Sequence, residues 1–463
     1  MLFRSGSLSG GGASGGNVIL GAATLTFAGN NTSPAVYGGS ISGSGGINKM
    51  GAGTQTLSRT NTYTGRTTIG GGTLRLDFAS LATPTNLLNS ASALTLAGGT
   101  LSVLGKTGAG VITSQTLGNV TLSTGTSSTI APDPNNSGVG STTLTLGNVW
   151  THNPASTLLI DYSSANTGAR RVVTTGAVTG SGAAGASGLF GYVLVKDSGG
   201  TGFARQDAGF AFIRNTAAGT VLTTSNSVAG TTATDFTTVP TDPGYAGGTL
   251  TLGNVAHAAN TLSINTTGGG ALNLGGASGV FALTSNALLV QGTGNYTIQN
   301  GALGASGAEV IVHQISSGIL TISSPISGGA GSLTKDGSGT LTLTGPQNYA
   351  TLSTGAGITN LQVALGTGSS TINANARTNL STSQTLAALN IGEGGVVVLT
   401  ASGAAAEPSV FPGDDLASGF PGESERSLVS PGVEAVPEPG GAALLFAGVA
   451  AIFARRQRAA RTS

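Results

Sequence analysis

Three observations predict an all-β solenoid. Glycine makes up 79 of the 463 residues and charged residues only 8%, against about 7% and about 25% in ordinary soluble domains. Such a chain is not helical, because glycine is a poor helix former while threonine and valine fit the pleated surface of a sheet. Apolar residues recur with period two in short runs bounded by glycine-rich turns, the pattern of strands half-buried on one side. Finally, one strand–turn–strand unit is written twice. Strands this short cannot bury their own apolar side, so units of this kind must stack on one another.

The first unit runs from Ile41 to Leu76, with strand candidates at Ile47, Thr54 to Leu57 and Thr67 to Leu76 separated by Gly-Ser-Gly-Gly, Gly-Ala-Gly and Asn-Thr-Tyr-Thr-Gly. The second runs from Ile326 to Tyr349. Aligned on Lys49 and Lys335, the copies share Gly51 with Gly337, Gly53 with Gly339, Thr54 with Thr340, Thr56 with Thr342, Leu57 with Leu343 and Tyr63 with Tyr349, seven identities over fifteen residues.

These residues resemble the autotransporter-associated β-strand repeat of large exported bacterial proteins. The first copy follows that pattern through Asn61, Tyr63, Gly65, Thr67, Ile69, Gly72, Thr73 and Leu74, departing at Gln55 and Arg59 where the second copy has Leu341 and Gly345. The second has Gln347 at the asparagine position and stops matching after Tyr349, which leaves its last strand less defined. The resemblance implies a rung of a right-handed parallel β-helix in an exported passenger. It carries no chemistry.

Residues 1–16 hold one arginine and no apolar run, so they do not read as a secretory signal peptide; export requires a start that is incomplete here. Rungs begin with Val18, Leu20, Leu25 and Phe27, and Ala93 to Gly105 adds two strands around a Gly-Gly turn. The string TLGNV recurs at 116–120, 145–149 and 251–255, ending in Gly-Asn, a pair that tolerates the left-handed backbone of a tight corner. From 151 to 248 the texture changes. Just after Trp150 come longer strands and most of the large side chains, among them Tyr162, Phe190, Tyr192, Phe203, Arg205, Phe210, Phe212 and Arg214. This reads as an irregular section or widened rungs, and as the place where a specific ligand would bind. Regular alternation then resumes to residue 402. At roughly 20 to 25 residues per rung and about 4.8 Å per rung, the whole predicts one rod on the order of 75 to 90 Å.

Residues 403–435 carry Pro408, Pro412, Pro421 and Pro431 with little apolar content, an extended linker. Residues 436–463 follow: Val436-Pro437-Glu438-Pro439, an uncharged run from Gly440 to Ala454, then Arg455, Arg456, Arg458 and Arg461. Fifteen residues in a helix span about 22 Å, short of the roughly 30 Å hydrocarbon core, a length that suits a transient anchor. The arginines set that end in the cytoplasm and everything upstream outside. This tail resembles the PEP-CTERM sorting domain. The resemblance implies a single C-terminal transmembrane helix, recognition of Val436, Pro437, Glu438 and Pro439 by an exosortase in the inner membrane, and delivery to the cell surface or an exopolysaccharide matrix of a bacterial envelope.

Little in the chain points to chemistry. The absence of cysteine excludes disulfides and thiolate or zinc-thiolate sites, and a net charge of +1 without a basic patch before the last ten residues argues against nucleic acid. His152, His257 and His313 are scattered, far in sequence from carboxylates at ligand spacing, and read as surface or packing residues. Asp414-Asp415 lies in the linker rather than on the rigid scaffold a glycosidase pair needs. Asp336 stands three residues too late for a Gly-rich calcium turn. No nucleophile elbow, P-loop or dinucleotide fingerprint occurs. The expectation is a non-enzymatic structural or adhesive solenoid without cofactor or metal. The alternative is a carbohydrate-binding or polysaccharide-degrading β-helix that uses the aromatics of 150–214. A passenger with its own C-terminal membrane barrel would need alternating strands where the tail has a helix candidate.

Overall fold

The computed structural model describes residues 2–400, apart from 13–14, 136–139, 186, 218–219, 224–234, 239–247, 306–308, 328–330, 348, 366–369 and 393. The linker, the Val436–Pro439 motif, the apolar run and Arg455, Arg456 and Arg458 lie outside the described residues. Among the described residues no helix is long and apolar enough to cross a membrane, and the one helical element is a 3-10 turn at Gly180–Gly182.

Strands stack in parallel as the composition predicts, but in two arms. In arm 1 the chain visits three sides per turn. Sheet I stacks Leu2–Arg4, Thr24–Phe27, Ile47–Lys49, Thr67–Ile69, Leu94–Leu96, Val120–Leu122 and Trp150–His152. Sheet II stacks Thr54–Leu57, Thr73–Asp77, Thr100–Leu104, Ser127–Asp133, Thr157–Asp161 and Leu189–Asp197. The later rungs add a third side from Ile112–Thr116, Ser141–Leu146 and Ala169–Thr174. Period two does the sorting: in Thr100–Leu104, Leu101 and Val103 are buried while Thr100, Ser102 and Leu104 turn outward.

The repeat unit folds as one rung and the start of the next. Its run from Thr67 to Leu76 is not a single strand, because Gly70 to Gly72 turns a corner between Thr67–Ile69 and Thr73–Asp77. Gly72 there has φ 53, and a Cβ on it would collide with the Gly51 and Gly53 carbonyls of the preceding rung. Stacked corners therefore require glycine at this position. Rung length varies with the loops: Ile47 pairs with Thr67, 20 residues on, whereas Val120 pairs with Trp150, 30 residues on. The first two TLGNV strings sit one above the other at such a corner, where Leu117 N donates to Thr145 O and Gly147 N to Leu117 O.

Arm 2 repeats the plan. Sheet III contains Asp235–Thr238, Ala256–Thr266, Val280–Gly292, Glu309–Gln314, Ser332–Asp336, Thr351–Thr354, Thr371–Ala374 and Ala388–Ile391. Sheet IV runs from Thr249–Thr251 to Val396–Leu399. The section after Tyr349, whose letters no longer match the repeat, still forms strands at Thr351–Thr354 and Ile358–Leu361.

Between the arms the pattern breaks. Gly200–Gln206 pairs antiparallel to Leu189–Asp197 of sheet II, and Phe212–Arg214 pairs antiparallel to Gly200–Gln206 in turn, which ends the parallel stack. Arm 2 then returns alongside arm 1: Gly125 meets Asn375, Ala155 meets Glu309 and Gly191 meets His313. Rung by rung, partner numbers fall as arm-1 numbers rise, from Asn375 at Gly125 through Glu309 at Ala155 to Asn260 at Ser187, so the arms are antiparallel. The single rod expected from the sequence is thus a hairpin of two rods, each on the order of 30 to 40 Å at about 4.8 Å per rung.

The described residues from 151 to 214 are the last rung of arm 1 and an antiparallel plug that closes it, after which the chain turns round into arm 2. Trp150, Phe190, Tyr192, Phe203 and Phe212 are all buried. Trp150 and Phe212 pack at 5.1 Å between ring centroids, and Phe190 sits edge-on to Phe212 at 5.2 Å. Trp150 Nε1 donates to Gly147 O at 2.9 Å and Tyr192 Oη to Gly182 O at 2.5 Å, so the polar tips of the rings are satisfied inside. These rings close the open end of a stack and are not available to a sugar.

Candidate functional site at the seam between the arms

The lysine shared by the two copies of the repeat is buried. Lys49 and Lys335 are both 0% exposed, each at the end of a strand leading into a glycine corner. Lys49 Nζ donates to Met50 O, Gly51 O and Gly71 O at 3.0, 2.8 and 2.9 Å. Lys335 Nζ donates to Gly337 O, Gly339 O and Ala356 O at 2.5, 2.6 and 2.5 Å. An ammonium has three protons and no acceptor, and each corner offers it carbonyls from its own rung and from the next. The lysine is a staple between rungs. Burial lowers the Lys335 ammonium to about 8, with the neighbouring Asp336 acting in the opposite direction.

Lys335 points into the core, so its neighbours Thr334 and Asp336 point out, toward arm 1. There they meet Glu309 and His313 of the preceding strand, placed beside them by the register that pairs Ile311 with Thr334 and His313 with Asp336. Glu309 Oε1 accepts from Thr334 Oγ1 at 2.6 Å and, across the seam, from the Ala155 amide at 2.7 Å. Burial pushes the Glu309 carboxyl up, against the pull of those two hydrogen bonds and of His313. His313 Nε2 lies 2.8 Å from the Gly191 carbonyl of arm 1; with an acceptor there, that nitrogen carries a proton and donates. Its Nδ1 lies 3.5 Å from Asp336 Oδ2. Burial alone would raise Asp336, but His313, the Gly337 amide and the Ser127 hydroxyl of arm 1 hold it down to about 2.

Sequence reading treated His313 as a lone packing residue. It is a packing residue, fully buried, but not a lone one: stacking brings it next to a carboxylate 23 positions away. Glu309 was missed altogether. A signal existed, because Ala287, Leu289 and Ile311 stand at outward positions of their strands and are buried, as expected only of a sheet covered on both faces. His152 stacks on Tyr192 at 4.1 Å within the plug, and His257 Nε2 lies 2.8 Å from Gly253 O. Among the described residues no three His, Asp or Glu side chains are grouped to hold a metal ion.

Two outward polar columns recur along the arms, with Arg66, Arg75 and Arg377 exposed beside them. On sheet I the register aligns Thr26, Asn48, Thr68, Thr95, Thr121 and Thr151 in one column. On sheet IV, Asn379 Nδ2 donates to Asn360 Oδ1 at 2.7 Å and Asn360 Nδ2 to Thr342 Oγ1 at 3.1 Å, a ladder of side-chain amides running along the arm.

The passenger-associated-transport-repeat family matches residues 47–76 and 333–351, which are the two lysine-corner rungs. A protein of Brucella suis biovar 1 (strain 1330) described as adhesin BmaC autotransporter is 31% identical over 395 residues, 79% of this chain. The chain spans about a tenth of that relative's length, 10%. No solved structure matches the chain.

Proposed function

We propose that this protein is an exported, non-enzymatic structural or adhesive element of a bacterial envelope, which displays the outward threonine and asparagine columns of its two arms to a repeating polymer such as exopolysaccharide. The observation that carries the reading is the column from Thr26 to Thr151, six rungs of one polar position at strand spacing, in which Thr95 is buried and accepts from Arg66 Nη1 while Thr68 and Thr121 on either side are partly exposed. A lattice of hydroxyls and amides offers many weak hydrogen bonds rather than one pocket, and avidity makes such contacts effective. The repeat match and the adhesin relative support export and adhesion. The burial of Trp150, Phe190, Tyr192, Phe203 and Phe212 argues against the alternative in which these rings stack on sugars, although Phe210 is 39% exposed.

In this reading residues 1–402 form the solenoid, 403–435 a linker and 436–463 a PEP-CTERM segment. Val436, Pro437, Glu438 and Pro439 present the motif to an exosortase, and Arg455, Arg456 and Arg458 hold the basic flank in the cytoplasm. Mass spectrometry of the protein from its native cells tests the sorting step. A mature chain ending near Pro439 is expected; the intact C-terminal peptide through Ser463 in the membrane fraction would refute exosortase processing. The adhesive step is tested separately by retention on immobilised exopolysaccharide, where Thr68→Val with Thr121→Val is expected to weaken retention at least tenfold. Unchanged retention, or depolymerisation of the glycan, would refute it.

A further inference from the structure

The seam between the arms is graded along its length. Next to the turn-round it is apolar: Leu189, Leu194 and Phe203 of arm 1 pack on Ala287 and Leu289 of arm 2, with Leu159 and Ile315 at the margin. The middle is polar and buried, held by Glu309 to Ala155, His313 to Gly191 and Asp336 to Ser127. Beyond it the contacts thin to the Asn375 amide on Gly125 O. There follows a cavity of ≈ 160 Å³ lined by Gly70, Gly71, Gly72 and Gly98 on one side and Gly355 and Gly394 on the other. The glycines set how closely the backbones approach, since a Cβ on Gly355 would collide with the Ser127 hydroxyl.

We propose that the hairpin is a mechanical clasp: the two arms part from the glycine-lined end, pivot on the apolar packing beside the turn-round, and do so before either arm unfolds. The topology makes this the weak direction. The strand Leu2–Arg4 and the strand Val396–Leu399 lie at the same end, because Gly394 shares its cavity with Gly70 to Gly72, close to the start of arm 1. Tension between the two arms at that end acts across the seam and loads its contacts one at a time, from Asn375 inward. Unfolding an arm requires breaking parallel backbone ladders together with the lysine staples that join successive rungs. Among the described residues the outer half of the seam is held by single side-chain hydrogen bonds, each far weaker than a backbone ladder broken as a unit, so it yields first. This inference does not rest on the adhesive reading; it would serve any role in which the chain lengthens under load.

The absence of cysteine allows a direct test on the full chain. A Cβ placed on Gly125, whose φ of 73 a cysteine takes only with some strain, lies 4.0 Å from Asn373 Cβ, within the separation of about 3.5 to 4.5 Å that a disulfide needs. The double variant Gly125→Cys with Asn373→Cys therefore locks the clasp on oxidation. DNA handles clicked to azide-bearing side chains at positions 75 and 377 are pulled in optical tweezers. The expected record is a reversible first extension on the order of 40 Å, from about four to five rungs on each arm swinging apart, at a lower force than any later step. Oxidation of the cysteine pair removes that step and reduction restores it. Glu309→Ala, with no cysteine, lowers the force of the first step and leaves later steps in place. The proposal is overturned if cross-linked and reduced proteins give the same first step, if Glu309→Ala leaves the force of that step unchanged, or if an arm unfolds before the seam opens.

Discussion

The two arms are built from the same rung and finished differently. Both contain a lysine that bridges a glycine corner to the next rung, Lys49 in arm 1 and Lys335 in arm 2. Arm 1 ends under a plug, with Trp150, Phe190 and Phe212 packed over the last rung and an antiparallel ladder closing sheet II. The last described rung of arm 2, Ala388–Ile391 and Val396–Leu399, keeps Leu389, Val397 and Leu399 only partly buried, and Ile391 and Val396 are each 49% exposed. A repeating rung is complete sideways and incomplete at its ends, so termination must come from residues outside the repeat. In arm 1 those residues are the aromatics that the composition concentrates between 150 and 212.

The largest effect expected from this difference is at the plug. Trp150→Ala removes a fully buried ring and is expected to cost about 3 to 5 kcal/mol, whereas Leu389→Ala, at a rung only partly covered, is expected to cost about 1 kcal/mol or less. Native-state hydrogen exchange gives the sharper version. Trp150→Ala should shorten protection across sheets I and II while sheets III and IV keep theirs; equal losses in both arms would mean that they unfold as one unit.

A smaller effect tests what the arms share. Lys335→Met leaves the Gly337, Gly339 and Ala356 carbonyls without their donor, and Lys49→Met does the same in arm 1. Each is expected to cost about 2 to 4 kcal/mol. The Lys335 ammonium is lowered to about 8 from 10.5. The folded chain therefore binds fewer protons than the unfolded one between those values, and stability rises with pH across that window. Urea unfolding at pH 7.5 and pH 10 should show this rise in the parent and its loss in Lys335→Met. An unchanged slope in the variant would assign the rise to another group.

The smallest expected effect lies in the seam. The buried Glu309 carboxyl is raised above its unfolded value of 4.5, so its folded form favours the proton. Any stability it contributes is fully present below the unfolded value and is lost as pH rises through the folded one. Glu309→Gln keeps an oxygen to accept from Ala155 N and Thr334 Oγ1 and removes the buried charge. At pH 7 the variant is expected to melt slightly higher than the parent, and at pH 4 the difference should vanish. A lower melting temperature at pH 7 would show that the charge itself, through His313, holds the seam.

Much of the fold could be read from the sequence before any coordinates. The strands at Thr54–Leu57, Leu94–Leu96 and Thr340–Leu343 follow from alternation between glycine turns, and the lysine-to-tyrosine spacing identifies the two related rungs. The seam was less legible because its members are brought together twice over. Register places His313 beside Asp336, one rung away, and the hairpin then sets both against Gly191 and Ser127, more than a hundred residues away. Neither step has a local signature, although the doubly buried strand Glu309–Gln314 carried a hint.

By itself, then, the sequence determined the element: a short strand, a glycine corner where no Cβ fits, and a lysine to satisfy that corner's carbonyls. These are contacts within a rung or to the next, and period two with the steric limits of φ is enough to specify them. What only the tertiary structure decided is how many rods there are and which faces they hide. Whether an outward Leu289 or Ile311 meets water or another arm depends on where the stack is stopped and turned back. In this chain the stop is an aromatic plug and one antiparallel turn, features that no single rung contains.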